Sequence, residues 1–157
     1  MKTLVLGLGN TLLTDDGVGI YIAREIKKNC KDVEILEAAA AGFRIVDEII
    51  GFKKLIIIDS IITGNKPHGF CHRFSFEEFN KTLHFTSPHD ISLFEAFEIM
   101  KKYNAVLPEE IDIYAIEVKD TQTLSEKCSK PIESKIKDIS SYIIKKQELK
   151  KIKENKL

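Results

Sequence analysis

Three side chains capable of metal or acid–base chemistry stand where strands and helices are expected to end or begin. Asp16 follows a glycine turn, Asp59 ends an unbroken apolar run, and His89 comes directly after a proline. Two carboxylates and one imidazole suit a borderline divalent ion and leave coordination positions open. These residue types therefore predict a three-ligand metal site, provided that the fold brings them together.

The alternation of strands and helices predicts how these residues are positioned. Apolar runs predict strands at residues 3–7, 33–37, 53–59, 69–75 and 111–118, and helical periodicity predicts helices at 15–29, 42–50, 88–102 and 122–147. This alternation indicates an α/β fold, a three-layer αβα sandwich with a twisted, mostly parallel five-stranded sheet. The fourth strand is expected to run antiparallel, because its link from the third strand contains no helix.

This architecture predicts that the candidate ligands meet at one edge of the sheet. Open parallel sheets keep their sites at the carboxyl ends of the strands. If the first and third strands are neighbours, Asp16 and Asp59 lie at that edge together. A helix that begins at Pro88 then brings His89 over them.

Each residue also has a purely structural interpretation. Aspartate is favoured at helix N-caps and first turns, and capping is the role expected for Asp15. Asp59 could cap the next loop, although burying a carboxylate is costly unless a positive group lies nearby. His89, taken alone, could be a first-turn residue without a role. The other histidines suggest no site, since His68 and His72 are expected to be exposed and His84 fits no pattern.

Composition limits the class of protein. The 157 residues fit one domain, residues 1–157, and the 24 basic and 24 acidic side chains balance. That balance argues against nucleic acid as a partner, because phosphate-binding domains are usually basic. The lysine-rich end, residues 146–157, is expected to form a frayed tail.

Cysteine usage and hydropathy predict a cytoplasmic protein. Cys30, Cys71 and Cys128 are too scattered for a disulfide framework. No signal peptide is visible. The most apolar internal run, residues 55–58, is far shorter than the ~20 residues that a membrane span needs. We therefore expect a soluble protein with no membrane partner.

The glycine turn raises nucleotide binding as an alternative. Gly7 and Gly9 resemble the start of a dinucleotide-binding fingerprint, but Leu12 occupies the place of the third glycine. Two acids also precede the helix, whereas phosphate needs a bare, positive helix N-terminus. Nucleotide binding is therefore disfavoured.

Three segments together resemble the NiFe-hydrogenase maturation endopeptidases, in order and spacing, over nearly the whole chain. The segments are Gly7-x-Gly9-Asn10-x-Leu12-x-x-Asp15-Asp16-Gly17-x-Gly19, Ile57-Ile58-Asp59-Ser60 and Ser87-Pro88-His89. The resemblance implies a twisted α/β sheet between helices. It also implies an endopeptidase that removes the C-terminal extension of a hydrogenase large-subunit precursor after nickel insertion.

The same resemblance implies a ligand set and a source for the metal. The family's metal-contacting positions fall on Asp16, Asp59 and His89, which are also the expected catalytic residues. Nickel is expected to be supplied by the precursor and to act as the recognition element. A monomer is expected, because the enzyme must leave its sheet edge free for a large partner.

Two departures from the family pattern bear on specificity. Ala38 to Ala41 stand where members often carry a glycine-rich turn, so the shape of the cleft and the choice of hydrogenase are expected to differ. Some members have glutamate where this chain has Asp16, so the reach of the ligand is shorter here by one methylene.

Two other functions remain open at this point. One is a non-catalytic chaperone that binds the metallated subunit without cutting it. The other is a self-contained metallohydrolase acting on small amides, which the absence of an H-E-x-x-H motif disfavours.

Overall fold

The computed structural model describes residues 2–39, 43–81 and 88–152, with the side chains of 43–44, 79–81 and 88–94 excepted. The strands are Thr3–Leu8 (β1), Val33–Ala38 (β2), Lys54–Ile61 (β3), Cys71–Ser75 (β4) and Glu110–Glu117 (β5). The helices are Val18–Asn29 (α1), Phe43–Ile49 (α2), Phe76–Lys81 (α3), Pro88–Lys102 (α4), Lys130–Glu133 (α5) and Ile136–Lys146 (α6).

The five strands form one sheet in the order β2-β1-β3-β5-β4. Neighbouring strands are parallel except β4, which runs antiparallel to β5. The predicted fold class is therefore confirmed, as are the pairing of the first and third strands and the reversed fourth strand. Asp59, Ala115 and His72 occupy one row across β3, β5 and β4.

Helices cover both faces of the sheet. Alternate residues of β3 enter two separate cores: Ile56 and Ile58 pack with α1 and α6, whereas Leu55 and Ile57 pack with α2 and α4. A strand buried on both faces needs apolar residues at every position, which explains its continuous run of isoleucines.

The C-terminal part of the chain departs from the prediction of one helix over 122–147. Two helices, α5 and α6, replace it, and residues 119–129 form a loop. The backbone of this loop bonds to the glycine-turn region instead, with Thr14 N donating to Ser125 O at 3.1 Å. Pro131 then starts α5 in the first turn, where a missing N–H costs nothing.

The predicted frayed tail from residue 146 is wrong for the part described. Lys31 N donates to Lys150 O at 2.8 Å, and Ile152 N donates to Asn29 O at 2.9 Å. These bonds fasten the chain to the end of α1 as far as residue 152. Residues 153–157 lie outside the described residues.

The sequence prediction also missed α3. Ser75 and Glu78 form a reciprocal capping box, in which Glu78 N donates to Ser75 Oγ at 3.1 Å and Ser75 N donates to Glu78 Oε2 at 2.8 Å. Among the described residues, no helix has the length and apolar character required to cross a membrane.

Candidate active site at the carboxyl edge

Glycines let α1 approach β1 and β3 closely. Gly9 has a φ of +139°, and a Cβ atom there would lie 1.9 Å from the carbonyl oxygen of Asp16. A Cβ atom at Gly19 would lie 2.2 Å from the carbonyl oxygen of Ile58. Only glycine fits these positions, and the close approach brings the turn that carries Asp16 beside the end of β3.

Asp16 lies in a single 3₁₀ turn, residues 14–17, rather than in the predicted first turn of the helix. Its side chain is buried at 8% exposure. Asn10 N donates to Asp16 Oδ2 at 2.8 Å, and Asn10 Oδ1 in turn accepts from Leu12 N at 2.9 Å. The glycine loop therefore folds around the carboxylate and fixes its orientation.

Asp59 lies near the end of β3, next to Ser60, whose hydroxyl approaches Asp16. It is 1% exposed, and Ser60 N donates to Asp59 Oδ1 at 2.8 Å. The hydroxyl of Ser60 lies 3.5 Å from Asp16 Oδ1. β3 continues two residues past its predicted end at Asp59, because it stays paired with β5 as far as Glu117. The structure thus brings both predicted carboxylates to the carboxyl edge of the sheet, around Ser60.

Asp15 does not cap its own helix, so that prediction is wrong. Gly17 is the N-cap of α1 and makes no side-chain cap. The buried Asp15 carboxylate instead accepts from Ser129 N at 2.7 Å and from Ser129 Oγ at 2.8 Å. Ser129 is the N-cap residue of α5, so Asp15 ties that helix to the 3₁₀ turn.

Further contacts hold the 119–129 loop against the turn. Thr14 Oγ1 donates to Thr123 O at 2.5 Å, and Tyr21 OH donates to the carbonyl of Glu126. Thr14 has a φ of +48°, a backbone conformation that threonine adopts only under constraint. Asp15 and its neighbours therefore fix the turn that carries Asp16.

His89 occupies the first turn of α4, which begins at Pro88 as predicted. Phe97 of α4 packs in the core with Ile57 and Ile113, and the chain then enters β5 at the amino edge. The first turn of α4 is therefore directed towards the carboxyl edge. The side chain of His89 lies outside the described part. Among the described side chains, no group of three or more His, Cys, Asp or Glu residues could hold a metal ion.

Sequence reasoning missed an imidazole–carboxylate pair at the same edge. His72 was expected to be exposed, but its side chain is only 14% exposed and its Nε2 lies 3.1 Å from Glu117 Oε1. Glu117 also accepts from Thr63 N at 2.8 Å and from Thr63 Oγ1. A signal was present, because Glu117 ends an apolar strand just as Asp59 does.

The environment keeps Glu117 ionised. Burial by itself would raise the pKa of this carboxyl, but the hydrogen bonds from Thr63, His72 and Gly64 outweigh it and lower the pKa from its ordinary value. His72 Nε2 therefore carries the hydrogen of this bond.

Among the described residues, His68 and the three cysteines show no sign of an activated group. His68 is exposed, as predicted, and His84 lies outside the described residues. All three cysteines are free, which confirms the absence of a disulfide framework. Burial raises the thiol pKa of Cys71 and of Cys128 to about 12, so neither is an activated nucleophile.

Comparison with known proteins gives a consistent set of relatives. A family model described as hydrogenase maturation protease matches residues 20–146. The Hydrogenase 2 maturation protease of Escherichia coli K12 is 27% identical over 123 residues, which are 74% of this chain and 73% of that protein.

Solved structures share the fold. The hydrogenase maturating endopeptidase HybD from E. coli has a TM-score of 0.82 at 22% identity, covering 97% of both chains. The NiFe hydrogenase maturation protease HybD from Thermococcus kodakarensis has a TM-score of 0.79 at 26% identity, covering 92% of this chain and 98% of that one.

Proposed function

The chain belongs to the hydrogenase maturation protease family, and we propose that it removes the C-terminal extension of a NiFe-hydrogenase large-subunit precursor after nickel has been inserted. The observation that carries this proposal is that two buried carboxylates, Asp16 and Asp59, both lie at the carboxyl edge, around Ser60. Burying carboxylates is costly, and a bound cation would offset that cost.

The donor set suits a metal that the substrate brings with it. Two carboxylates and the imidazole of His89 form a modest site for Ni²⁺, whereas cysteine thiolates hold it more firmly. Nickel already seated in the precursor would therefore remain there while Asp16, Asp59 and His89 engage its open positions. Recognition would then depend on completed nickel insertion.

Peptide hydrolysis at this site needs a polarised carbonyl and an activated water. The substrate's nickel can polarise the scissile carbonyl, or one carboxylate can accept a proton from the attacking water. Water adds to the carbonyl carbon, the carbon–nitrogen bond breaks, and the leaving amine takes up a proton. The fixed orientation of Asp16 by Asn10 N and Ser60 fits either route.

The proposal is tested by the intact mass of a cognate large-subunit precursor after incubation with this protein. The precursor is used in nickel-loaded and nickel-free forms. Loss of a C-terminal fragment only from the loaded form is expected. Release from both forms would contradict nickel recognition, and release from neither would leave a non-catalytic binding role.

The Asp59→Asn variant tests the assignment of the site in the same assay. It preserves the size of the side chain and removes its charge, so we expect no cleavage and an unchanged far-UV circular dichroism spectrum. Normal processing by this variant would contradict the proposed role. We expect the enzyme to act as a monomer, since its partner must reach the carboxyl edge. We also expect it to act in the cytoplasm.

A further inference from the structure

A basic, aromatic surface lies at the start of β4, at the same edge as Asp16 and Asp59. Phe70 is 40% exposed, and Lys66 Nζ lies 5.0 Å from the centre of its ring. The His72 ring packs edge-on with the Phe70 ring, with ring centres 4.9 Å apart. We call Lys66, Phe70, His72 and Lys135 together the β4 ledge.

A backbone bulge gives the ledge its shape. Gly69 N donates to Glu117 O at 2.7 Å, while Glu117 N donates to Phe70 O at 2.9 Å. Two residues thus face one residue of β5, and Gly69, with a φ of +87°, supplies the left-handed conformation that such a bulge needs. Lys135 lies over Gly69 and donates from Nζ to His68 O at 3.0 Å.

The ledge carries positive charge at its surface. Lys66 and Lys135 are exposed, and neither forms an ion pair with another described residue. Glu117, the acid bonded to His72 of the ledge, is buried and also accepts a hydrogen bond from Thr63. An anionic group approaching Phe70 therefore meets the ammonium group of Lys66, and that of Lys135 is held close to the neighbouring Gly69.

The ledge is within reach of a peptide held at the acidic pair. The backbone of Phe70 bonds to Glu117 of β5, and Glu117 pairs with Ile61 of β3. Phe70 therefore lies two strands away from Asp59 across the sheet and two residues away along the strand direction. With strands about 4.8 Å apart and residues about 3.3 Å apart along a strand, this separation is about 12 Å. An extended peptide covers that distance with about four residues.

We propose that the β4 ledge binds the free end of the precursor's C-terminal extension. Any such extension ends in an α-carboxylate, whatever its sequence. The buried acids at Asp16 and Asp59 repel that group, whereas Lys66 and Lys135 attract it, and Phe70 offers an apolar surface to the last side chains. The inference rests on the proposed protease function and names the part of the substrate that this surface recognises.

The first test measures steady-state cleavage of the nickel-loaded precursor. Charge reversal in Lys66→Glu is expected to raise KM about two- to fivefold with little change in kcat, since the interaction is a surface ion pair. Lys137→Glu, an exposed lysine of α6 outside the ledge, is the matched control and should leave KM unchanged. An unchanged KM for Lys66→Glu overturns the proposal.

A charge swap makes the test specific for the tail. Two lysines appended to the end of the precursor should raise the KM of the wild-type enzyme. With this lysine-tailed precursor, Lys66→Glu should have a lower KM than the wild-type enzyme. Absence of this exchange contradicts tail binding. Phe70→Ala should also raise KM; a change in oligomeric state instead, seen by light scattering, would identify the ledge as a self-association surface and overturn the proposal.

Failure of this inference is distinguishable from failure of the proposed function. If the wild-type protein cleaves the loaded precursor and the ledge variants behave identically, only the ledge assignment is wrong. If the wild-type protein cleaves nothing, the protease proposal itself fails.

Discussion

Charged side chains form ion pairs, mostly exposed to solvent, at the amino edge of the sheet, whereas carboxylates are buried at its carboxyl edge. The amino edge holds a cavity of about 850 Å³ whose lining includes Lys2, Glu34, Lys54 and Glu110. Lys2 pairs with Glu34 at 3.4 Å and Lys54 with Glu110 at 3.6 Å, mostly with solvent-exposed side chains. Such pairs compensate one another and contribute little to stability.

The carboxyl edge instead buries its acids and surrounds them with hydrogen-bond donors. Asp16, Asp59 and Glu117 are all buried, and the donors described above are backbone N–H groups, hydroxyls and one imidazole. Keeping carboxylates out of water costs several kcal/mol each before such bonds compensate. The proposed site is therefore distinguished from the amino-edge cavity by the cost of its buried charge, and not by the size of a cavity.

Replacing a carboxylate at the carboxyl edge should lower the cleavage rate far more than replacing one at the amino edge. Asp16→Asn should reduce cleavage of the nickel-loaded precursor about 1,000-fold, because engaging a metal Lewis acid is worth several kcal/mol and each 1.36 kcal/mol is tenfold. The measurement is single-turnover release of the fragment. Asp32→Asn in the lining of the amino-edge cavity is the control and should cleave at the wild-type rate. Equal losses of cleavage rate in both variants would contradict a functional difference between the two edges.

The sequence predicts the parts of the site that local rules govern. Asp16 and Asp59 were identifiable because each follows an apolar strand, and parallel pairing then brings strand ends together. Glu117 obeys the same rule and was overlooked because its partner, His72, looked like an exposed strand residue. The capping box of Ser75 and Glu78 was likewise readable and was missed.

Other features depend on contacts that local sequence does not encode. Asp15 binds Ser129, 114 positions away, and this bond competes with the helix cap that its neighbourhood favours. The helix predicted over 122–147 rested on apolar spacing alone. Its first part forms a loop because the backbone of Ser125 bonds to Thr14 N and to Leu12 O, a tertiary preference that overrides periodicity.

The close packing of Gly9 against the turn that carries Asp16 should make this glycine important for stability. Gly9→Ala should destabilise the fold by about 3 kcal/mol, because its Cβ would overlap the Asp16 carbonyl and its φ is unfavourable for alanine. Gly51→Ala is the matched control, with a φ of +93° but nothing within 4 Å, and should cost only about 1–2 kcal/mol. Urea denaturation measures both. Equal losses would show that backbone conformation, and not close approach, explains the glycines.

Buried and exposed acids should differ in how their contribution to the free energy of unfolding depends on pH. Because the pKa of Glu117 is lowered in the folded state, its stabilising contribution is present above the ordinary value of 4.5 and is lost as pH falls through the folded-state pKa. Glu117→Gln should cost about 1–2 kcal/mol at neutral pH, and this deficit should shrink in acid. Glu34→Gln at the amino edge should show little of either effect. A deficit for Glu117→Gln that stays constant down to about pH 3 would contradict ionisation of this carboxyl.

The smallest effect is expected where the amino edge looks most like a binding site. Lys2→Ala removes the ion pair with Glu34, but both side chains are largely exposed, so the free energy of unfolding should change by less than about 0.5 kcal/mol. Thermal and urea denaturation measure this change, and cleavage of the precursor should be unaltered. A loss of cleavage without a loss of stability would mean that the substrate also uses this edge, and that the cavity there is functional after all. An unaltered rate confines recognition to the carboxyl edge, where buried acids and a basic ledge lie within one peptide's reach.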